Sequence, residues 1–409
     1  WVLRWSVELM ADLLVAARKL RSLADRHAAQ FRAPAWSAFF AMLQRELAEE
    51  FFARAEDHLR QMRFRHGVLF SASLGAGLKG ADFVLHRSPP RAGTWFSRLF
   101  EPQPESHGFS LNPRDEAGHG ILSDLRNRGT AIAASALGQS ADHVRDFFAV
   151  LRRELAFYVG CVNLQERLIR IGVPICIPSA EPPATRRLSG RGLYDPCLAL
   201  KTGGPPVGND LSADGRDALV ITGANQGGKS TFLRSLGLAQ LMTQCGMFVG
   251  AEVFRASLCD GVFTHFRHEE DTGMKSGKLD EELSRMSEIV DHVAPGSLVL
   301  FNESFAATNE REGSEIAGQI VSALLERGIR VAFVTHLFEF PRTLYEQPGV
   351  RALFLRADRA RTFRLCEGEP LRTSFGEDLY SSVFGEGTHR PATIGAPAPR
   401  LTPSPAPMK

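Results

Sequence analysis

Apolar residues recur at helical spacing through most of the first 170 residues. The repeats predict helices over Trp1–Gln30, from after Pro34 to about Arg65, and over Leu122–Leu137. A further repeat begins at Ser140, a residue type that caps helix N-termini, and continues to about Ile171. We therefore expect residues 1–180 to form a mainly helical core and lever region.

Three segments depart from this pattern. Residues 69–85 are rich in glycine and small side chains and predict a loop followed by a strand. Residues 88–113 combine prolines, glycines and aromatic residues and predict an irregular insertion. Residues 389–409 are rich in proline and alanine, with almost no apolar bulk, and predict a disordered tail.

Beyond about residue 180, short apolar runs alternate with helical repeats, which is the pattern of an α/β domain. Ala218–Thr222 is the kind of run that forms a strand buried on both faces. Ser297–Phe301 and Val331–Val334 predict two more strands, with a helix over Glu315–Arg327 between them. Residues 352–365 predict a hairpin at the sheet edge. We place this second domain at residues 181–388.

Composition narrows the class of protein. With 409 residues and 44% hydrophobic composition, the chain is large enough for two or three domains with real cores. Its 48 basic and 46 acidic residues leave a net charge of +2, so any contact with DNA must come from a local patch. Six cysteines without a CxxC pair indicate reduced thiols and a cytoplasmic location. No stretch has the length of a membrane span, so no membrane partner is expected. The chain opens on tryptophan instead of methionine, so we expect a trimmed or fragmentary N-terminus.

The strand Ala218–Thr222 leads into a glycine-rich loop and then into a helical stretch from Thr231 to about Gln244. The spacing is that of a phosphate-binding (Walker A) loop, in which backbone N–H groups point at a triphosphate and a Cβ would block the approach. An accidental glycine-rich turn is the alternative, and the flanking strand and helix count against it. The candidate nucleotide-binding residues are Gly223, Ala224, Asn225, Gln226, Gly227, Gly228, Lys229, Ser230 and Thr231.

Lys229 and Ser230 give this loop its chemistry. The Lys229 ammonium is expected between the β- and γ-phosphates, and the Ser230 hydroxyl is expected to be a ligand of Mg²⁺. The N-terminus of the following helix adds a partial positive charge. The predicted ligand is a nucleoside triphosphate with Mg²⁺.

Two strand ends carry the other candidate catalytic residues. Glu303 directly follows an apolar strand and is expected to position the attacking water. Asn302 stands where an aspartate normally holds the Mg²⁺ shell; its neutral oxygen accepts a hydrogen bond from a metal-bound water, and hydrolysis is expected to be slow. A polar strand end without catalytic duty is the alternative. His336, after the next strand, is expected to sense the γ-phosphate, with a structural cap as the alternative.

Two further clusters of polar residues have both a functional and a structural interpretation. The first contains residue types that bind metals but lacks the HExxH order, which favours a solvated loop; it consists of His265, His268, Glu269, Glu270 and Asp271. The second is a basic set in the first helix that either faces DNA phosphates or forms a solvated helix face; it consists of Arg4, Arg18, Lys19, Arg21 and Arg26.

The segments GANQGGKST, SLVLFNESFAAT and VAFVTHLFEF resemble the ATPase core of the MutS family of DNA mismatch repair proteins, over roughly Val207 to Phe384. The resemblance implies an α/β ABC-type P-loop ATPase domain C-terminal to a mainly α-helical lever and core domain. It further implies ATP and Mg²⁺ as ligands, a homodimer in which each ATP is touched by both subunits, and action on DNA in mismatch repair or related repair or recombination. Asn209 corresponds to the segment beside the adenine, and Ser276 and Gly277 to the signature that acts across the dimer.

Several positions depart from the family pattern. Gly277 stands where the family has the serine that reaches the γ-phosphate across the dimer, so this contact is expected from Ser276 or a backbone N–H. Pro206 replaces the aromatic platform expected before Asn209, and Asp378 replaces a later histidine.

The mismatch-reading domain of the family, with its Phe-x-Glu wedge, is not found in this sequence, so no mismatch selectivity is expected. Two alternatives therefore stay open. One is an ATP-gated binding module with negligible hydrolysis, and the other is an ABC ATPase with a purely protein partner.

Overall fold

The computed structural model describes residues 2–64, 67–87, 107–266 and 277–370. By its contacts the chain divides into two units, with the division after Tyr158. The predicted domain boundary near residue 180 stays a prediction, as does the disorder of residues 389–409, which lie outside the described residues. Within the described part, no helix is both long and apolar enough to cross a membrane.

The first unit consists of helices and one hairpin. Its elements are α1 (Val2–His27), α2 (Pro34–Glu46), α3 (Glu49–Met62), β1 (Leu69–Leu74), β2 (Gly80–His86) and the part of α4 (Glu116–Ile171) up to Tyr158. On α1, Val7, Met10 and Leu14 recur every three or four residues and bury one face against Phe52 and Leu59 of α3. This helical repeat is therefore a packing face, as its spacing predicts.

The prediction of one helix from Pro34 to Arg65 is wrong, because the helix breaks between α2 and α3. Leu47 leaves the helical conformation, with φ −97° and ψ 46°. The Arg21 side chain donates to the Gln44 and Leu47 carbonyl oxygens at 2.9 and 2.8 Å, which satisfies acceptors at the end of α2. Two acidic residues then open α3, where they favour a new helix N-terminus.

Ser140 is not an N-cap, because α4 runs through it without interruption. Its hydroxyl donates to the Ala136 carbonyl oxygen at 2.8 Å, a bond that serine makes inside a helix. The loop and strand predicted for residues 69–85 are a complete antiparallel hairpin, in which Leu69 pairs with His86 and Leu74 with Gly80.

The second unit is a mixed α/β structure, as the alternating pattern predicts. The remainder of α4 precedes the following elements: β3 (Ser179–Glu181), β4 (Leu188–Leu193), α5 (Pro196–Thr202), β5 (Asn209–Ser212), β6 (Ala218–Gly223), α6 (Lys229–Gln244), β7 (Val253–Ser257), β8 (Val262–Phe266), α7 (Lys278–His292), β9 (Leu298–Asn302), α8 (Glu310–Glu326), β10 (Arg330–Val334), α9 (Glu339–Glu346), β11 (Ala352–Ala357) and β12 (Leu365–Glu367).

These strands form two sheets. The larger has the order β12-β11-β6-β10-β9-β8, parallel except for the antiparallel edge strand β12. The hairpin predicted at the sheet edge is therefore confirmed. The smaller sheet has the order β3-β7-β4-β5.

Helices cover both faces of the larger sheet. On β10, Ala332 and Val334 pack into the cluster that contains the α6 side chains, whereas Val331 and Phe333 pack with those of α7, α8 and α9. Successive strand residues point to opposite faces, so a parallel strand covered on both sides must be apolar at every position. This explains why the uninterrupted runs identify these strands.

The sheet order determines where the chemical groups meet. β6, β10 and β9 are adjacent and parallel, and Val334 pairs with both Ile221 and Asn302. The carboxyl ends of the three strands therefore lie at one edge of the sheet, where α/β folds bind their ligands.

Candidate nucleotide-binding site

The loop between β6 and α6 has a backbone that requires its glycines. Gly223 and Gly228 have φ of 102° and 89°, a region that side chains disfavour. A Cβ on Gly223 would lie 2.6 Å from the Ala357 carbonyl oxygen, and one on Gly227 would lie 2.7 Å from the Ala357 Cβ. The loop therefore packs directly on β11, with no room for larger residues.

Lys229, the first residue of α6, turns back into this loop. Its ammonium donates to the Gly223 and Ala224 carbonyl oxygens, both at 3.0 Å. Burial lowers the pKa of Lys229, and the nearby charge of Glu303 opposes that shift. A buried ammonium next to the N-terminus of a 16-residue helix makes this end of the cavity attractive to anions.

A cavity of about 670 Å³ opens beside the loop, within the range of small-molecule sites. Most of the predicted nucleotide-binding residues line it together with Glu303. The lining includes Asn209, Asn225, Gln226, Gly227, Gly228, Lys229, Ser230 and Thr231. Gly223 and Ala224 contribute through the carbonyl groups that hold Lys229.

Asn302 is the last residue of β9 and is not among the described residues that line this cavity, whereas Glu303, which follows it, is. The Asn302 Oδ1 atom is buried and has no hydrogen-bond partner among the residues that the structure describes. Glu303 has φ of 54°, and its N–H donates to the Val334 carbonyl oxygen at 2.8 Å. Phe305 also has positive φ, at 63°, so the turn after β9 is strained at two bulky residues.

These residues fit Mg²⁺. An orphaned buried amide oxygen is suited to accept a hydrogen bond from a metal-bound water, and the Ser230 hydroxyl is exposed in the cavity. Mg²⁺ usually keeps several waters and takes few protein ligands. No group of three His, Cys, Asp or Glu side chains lies together in the described part of the chain.

The other predicted site residues are His336, Gly277 and Ser276. His336 is exposed after β10 and is not among the described residues that line it. Gly277 precedes α7, and a Cβ added there would meet nothing within 4 Å. Ser276 lies outside the described residues, as do His268, Glu269, Glu270 and Asp271. The roles proposed for His336, Ser276 and Gly277 therefore stay predictions.

His265 is buried, so its interpretation as part of a solvated loop is wrong. It lies on β8, with its Nδ1 2.7 Å from the Ser304 hydroxyl and its Nε2 2.9 Å from the Glu282 carbonyl oxygen. The Glu282 carboxylate in turn accepts from the Phe305 N–H at 2.6 Å. This network joins α7 to the strained turn after β9. The signal in the sequence was the position of His265 inside the apolar run Val262–Phe266.

Phe363 is a cavity residue that the sequence did not indicate. It precedes β12 and lines the cavity with Asn209. The Asn209 amide donates to the Phe363 carbonyl oxygen at 3.0 Å and accepts from the Leu365 N–H at 2.7 Å. No periodicity or spacing reveals a contact between residues so far apart in the chain.

Comparison with known proteins identifies relatives of both halves. The MutS2 N-terminal domain model matches residues 1–171, and the MutS domain V model matches residues 219–367.

Individual relatives carry the same two names. The chain is 34% identical over 243 residues to "DNA mismatch repair protein MutS" of Chloroflexus aurantiacus, covering 58% of this chain and 25% of that protein. It is 32% identical over 171 residues to "Endonuclease MutS2" of Thermus thermophilus, covering 41% of this chain and 23% of that protein. "Endonuclease MutS2" of Ligilactobacillus salivarius is 33% identical over 190 residues, covering 45% and 24%. The matched part thus spans about a quarter of each of these relatives.

Proposed function

Because this chain belongs to the MutS family, we propose that it binds ATP with Mg²⁺ in the cavity beside α6, hydrolyses it, and uses it to operate a dimeric clamp on DNA. The observation that carries the proposal is the presence of Lys229, the glycine loop and Glu303 around one cavity at the carboxyl edge of the sheet. The proposed process is DNA mismatch repair or related repair or recombination.

Each residue has a defined part in the proposed reaction. The loop N–H groups and the α6 N-terminus bind phosphate oxygens, and Lys229 exchanges its carbonyl partners for the β- and γ-phosphates. Glu303 accepts a hydrogen bond from the attacking water and orients it, and His336 responds to the γ-phosphate. Ser230 and the Asn302 oxygen hold Mg²⁺ and its waters. When bound, Mg²⁺ neutralises charge that develops on the phosphates.

The proposed quaternary arrangement is an ABC-type homodimer that closes on two ATP molecules. Ser276, or the backbone N–H at Gly277, then reaches the γ-phosphate held by the other subunit. Asn209 belongs to the base end of the same cavity. The endonuclease named for some relatives is not part of this proposal, which concerns the ATPase.

An ATP-gated switch with negligible hydrolysis is the second candidate, and the neutral Asn302 favours it. A carboxylate at this position adds a negative charge to the Mg²⁺ shell, whereas an amide contributes a dipole alone. In this case nucleotide occupancy controls partner binding without turnover.

The test is nucleotide binding and steady-state turnover in the full chain and in Lys229→Ala. Removing the ammonium should weaken ATP–Mg²⁺ binding at least tenfold, about 1.4 kcal/mol, because a charge-assisted contact is lost. Lys19→Ala is the matched control, since Lys19 is an exposed lysine on α1 in the other unit. Unchanged ATP affinity in Lys229→Ala would exclude the glycine loop as the nucleotide-binding site. If the parent chain binds ATP without hydrolysing it, the second candidate function, an ATP-gated switch, is supported.

A further inference from the structure

Phe363 exposes 51% of its surface although it is an aromatic residue in an ordered segment. It lies against the start of α6, since a Cβ added to Gly228 would be 3.5 Å from both its Cβ and its Cδ1. Its ring therefore borders the cavity next to the loop that is proposed to bind the phosphates. A large apolar side chain in this place is available to a ligand.

The backbone at Phe363 is strained. Phe363 and Arg361 have φ of 61° and 54°, which bulky residues seldom adopt. Such strain persists where neighbouring groups enforce it, and it is concentrated at ligand sites. An unstrained hairpin would not place bulky residues at positive φ.

Asn209 and Asn225 supply the groups that enforce this conformation. The buried Asn209 side chain uses its nitrogen on the Phe363 carbonyl oxygen and its oxygen on the Leu365 N–H. The Arg361 Nε donates to the Asn225 carbonyl oxygen of the phosphate loop at 3.2 Å. Both polar atoms of the Asn209 side chain thus bond to the hairpin backbone. Asn209 therefore positions the hairpin and does not itself recognise the ligand.

Several apolar residues line the same cavity as Phe363, alongside polar ones such as Asp195 and Thr202. Leu198, Pro206 and Val207 are the apolar members next to these in the chain. A flat, exposed aromatic face in this cavity suits a nucleobase, because stacking on an aromatic ring stabilises any base through its π-face. Pro206 itself cannot stack in this way, since it has no aromatic ring.

We propose that Phe363 is the platform on which the nucleobase stacks, and that Asn209 is a positioning residue that acts through Phe363. The inference deepens the proposed function and rests on it. It assigns the base-binding role to the hairpin between β11 and β12, in place of the segment just before Asn209. The ligand class is a nucleotide recognised by stacking.

The experiment compares ADP with inorganic tripolyphosphate, both with Mg²⁺, on the full chain. Phe363→Ala should weaken ADP binding between about 5-fold and 150-fold, equivalent to 1–3 kcal/mol, and leave tripolyphosphate binding unchanged. Phe363→Tyr keeps the ring and should restore ADP affinity. Asn209→Ala should reduce the affinity for ADP to a similar extent. The double variant should bind ADP about as weakly as Phe363→Ala alone, because the two residues act as one unit.

A fluorescence measurement provides a second readout. The natural tryptophans are Trp1, Trp5, Trp36 and Trp95, all in the first quarter of the sequence. The additional tryptophan fluorescence of the Phe363→Trp variant therefore reports on the cavity. It should change when ADP is added and stay constant when tripolyphosphate is added. Equal losses for ADP and tripolyphosphate in Phe363→Ala, or no loss for either, would overturn the platform role while leaving phosphate binding intact. A parent chain that binds neither ligand would overturn the proposed function as well.

Discussion

Asn302 and Glu303 are neighbours that contribute different chemistry. The Asn302 Oδ1 is a buried acceptor without a partner among the described residues, and Glu303 carries a charge at the cavity wall. A buried acceptor left unpaired costs about 1–3 kcal/mol, so its retention is consistent with a bound water or ion. At the level of single residues, the speed of the proposed hydrolysis is expected to depend on this amide.

Replacing the amide with a carboxylate tests that dependence. Asn302→Asp should raise the steady-state ATPase rate several-fold with Mg²⁺, because the added charge strengthens the Mg²⁺ shell. Without nucleotide and Mg²⁺ the same variant should unfold at lower urea concentration, since the carboxylate is then buried without a cation. Glu303→Gln is the control, and we expect it to bind ATP and abolish turnover. An unchanged rate in Asn302→Asp would show that another step limits turnover.

The helix α8 packs tightly against the strained turn after β9. A Cβ on Gly313 would lie 2.4 Å from the Phe305 carbonyl oxygen, which belongs to backbone and has little room to move. The turn that carries Glu303 therefore rests on a glycine one helical turn into α8. The position of the turn after β9 is determined by this packing as well as by β9 itself.

Two glycine-to-alanine substitutions in α8 distinguish the effect of this packing from the effect of helix propensity. Gly313→Ala should lower the free energy of unfolding by about 1–3 kcal/mol and reduce ATP turnover, since the clash displaces the turn. Gly318→Ala is the matched control in the same helix, because its Cβ would meet Phe340 only at 4.0 Å. It should raise the free energy of unfolding by about 0.5–1 kcal/mol. Urea denaturation measures both, and a stabilising Gly313→Ala would contradict the assigned contact.

The elements that the sequence predicts well are those buried on both faces. β6, β9 and β10 follow the apolar runs to within one residue at each end, because every position in such a strand must be apolar. The break at Leu47 was missed because the groups that stabilise it, such as Arg21, come from another helix. Contacts such as Asn209 with Phe363 depend on the tertiary fold, and local pattern carries no information about them.

On the scale of the whole chain, charge is nearly balanced, and three of the four arginines on α1 are paired with acidic residues. Arg4 contacts Glu8 at 3.0 Å, Arg18 contacts Glu49 and Glu56 at 2.5 and 2.8 Å, and Arg21 contacts Asp25. These pairs favour the solvated helix face over a DNA-binding face for α1. Exposed pairs of this kind contribute little to stability and are screened by salt.

The prediction for DNA binding rests on the proposed function and not on the overall charge. Binding by the 409-residue chain should depend on phosphate contacts, so affinity should fall steeply with salt and differ little between matched and mismatched duplexes. ATP should change the affinity for DNA, because the proposed dimer closure would alter the surface offered to DNA. A titration on matched, mismatched and branched duplexes, at two salt concentrations with and without ATP, measures this. A tenfold preference for mismatched over matched DNA, about 1.4 kcal/mol, would show that this chain contains a mismatch-recognising element. If the chain bound no DNA with or without ATP, a protein partner would be favoured.

The contact between the glycine loop and Ala357 has a consequence for the order of events during synthesis. Gly223 pairs with Ala357 in the β6–β11 ladder, and the loop is shaped against that strand. The phosphate loop leaves the ribosome long before β11 does, so it cannot reach its final shape until most of the second unit has been translated. Pairing between strands so far apart forms late, because the intervening chain must be ordered first. The nascent chain is therefore expected to acquire the proposed nucleotide affinity at the end of folding and not at the beginning.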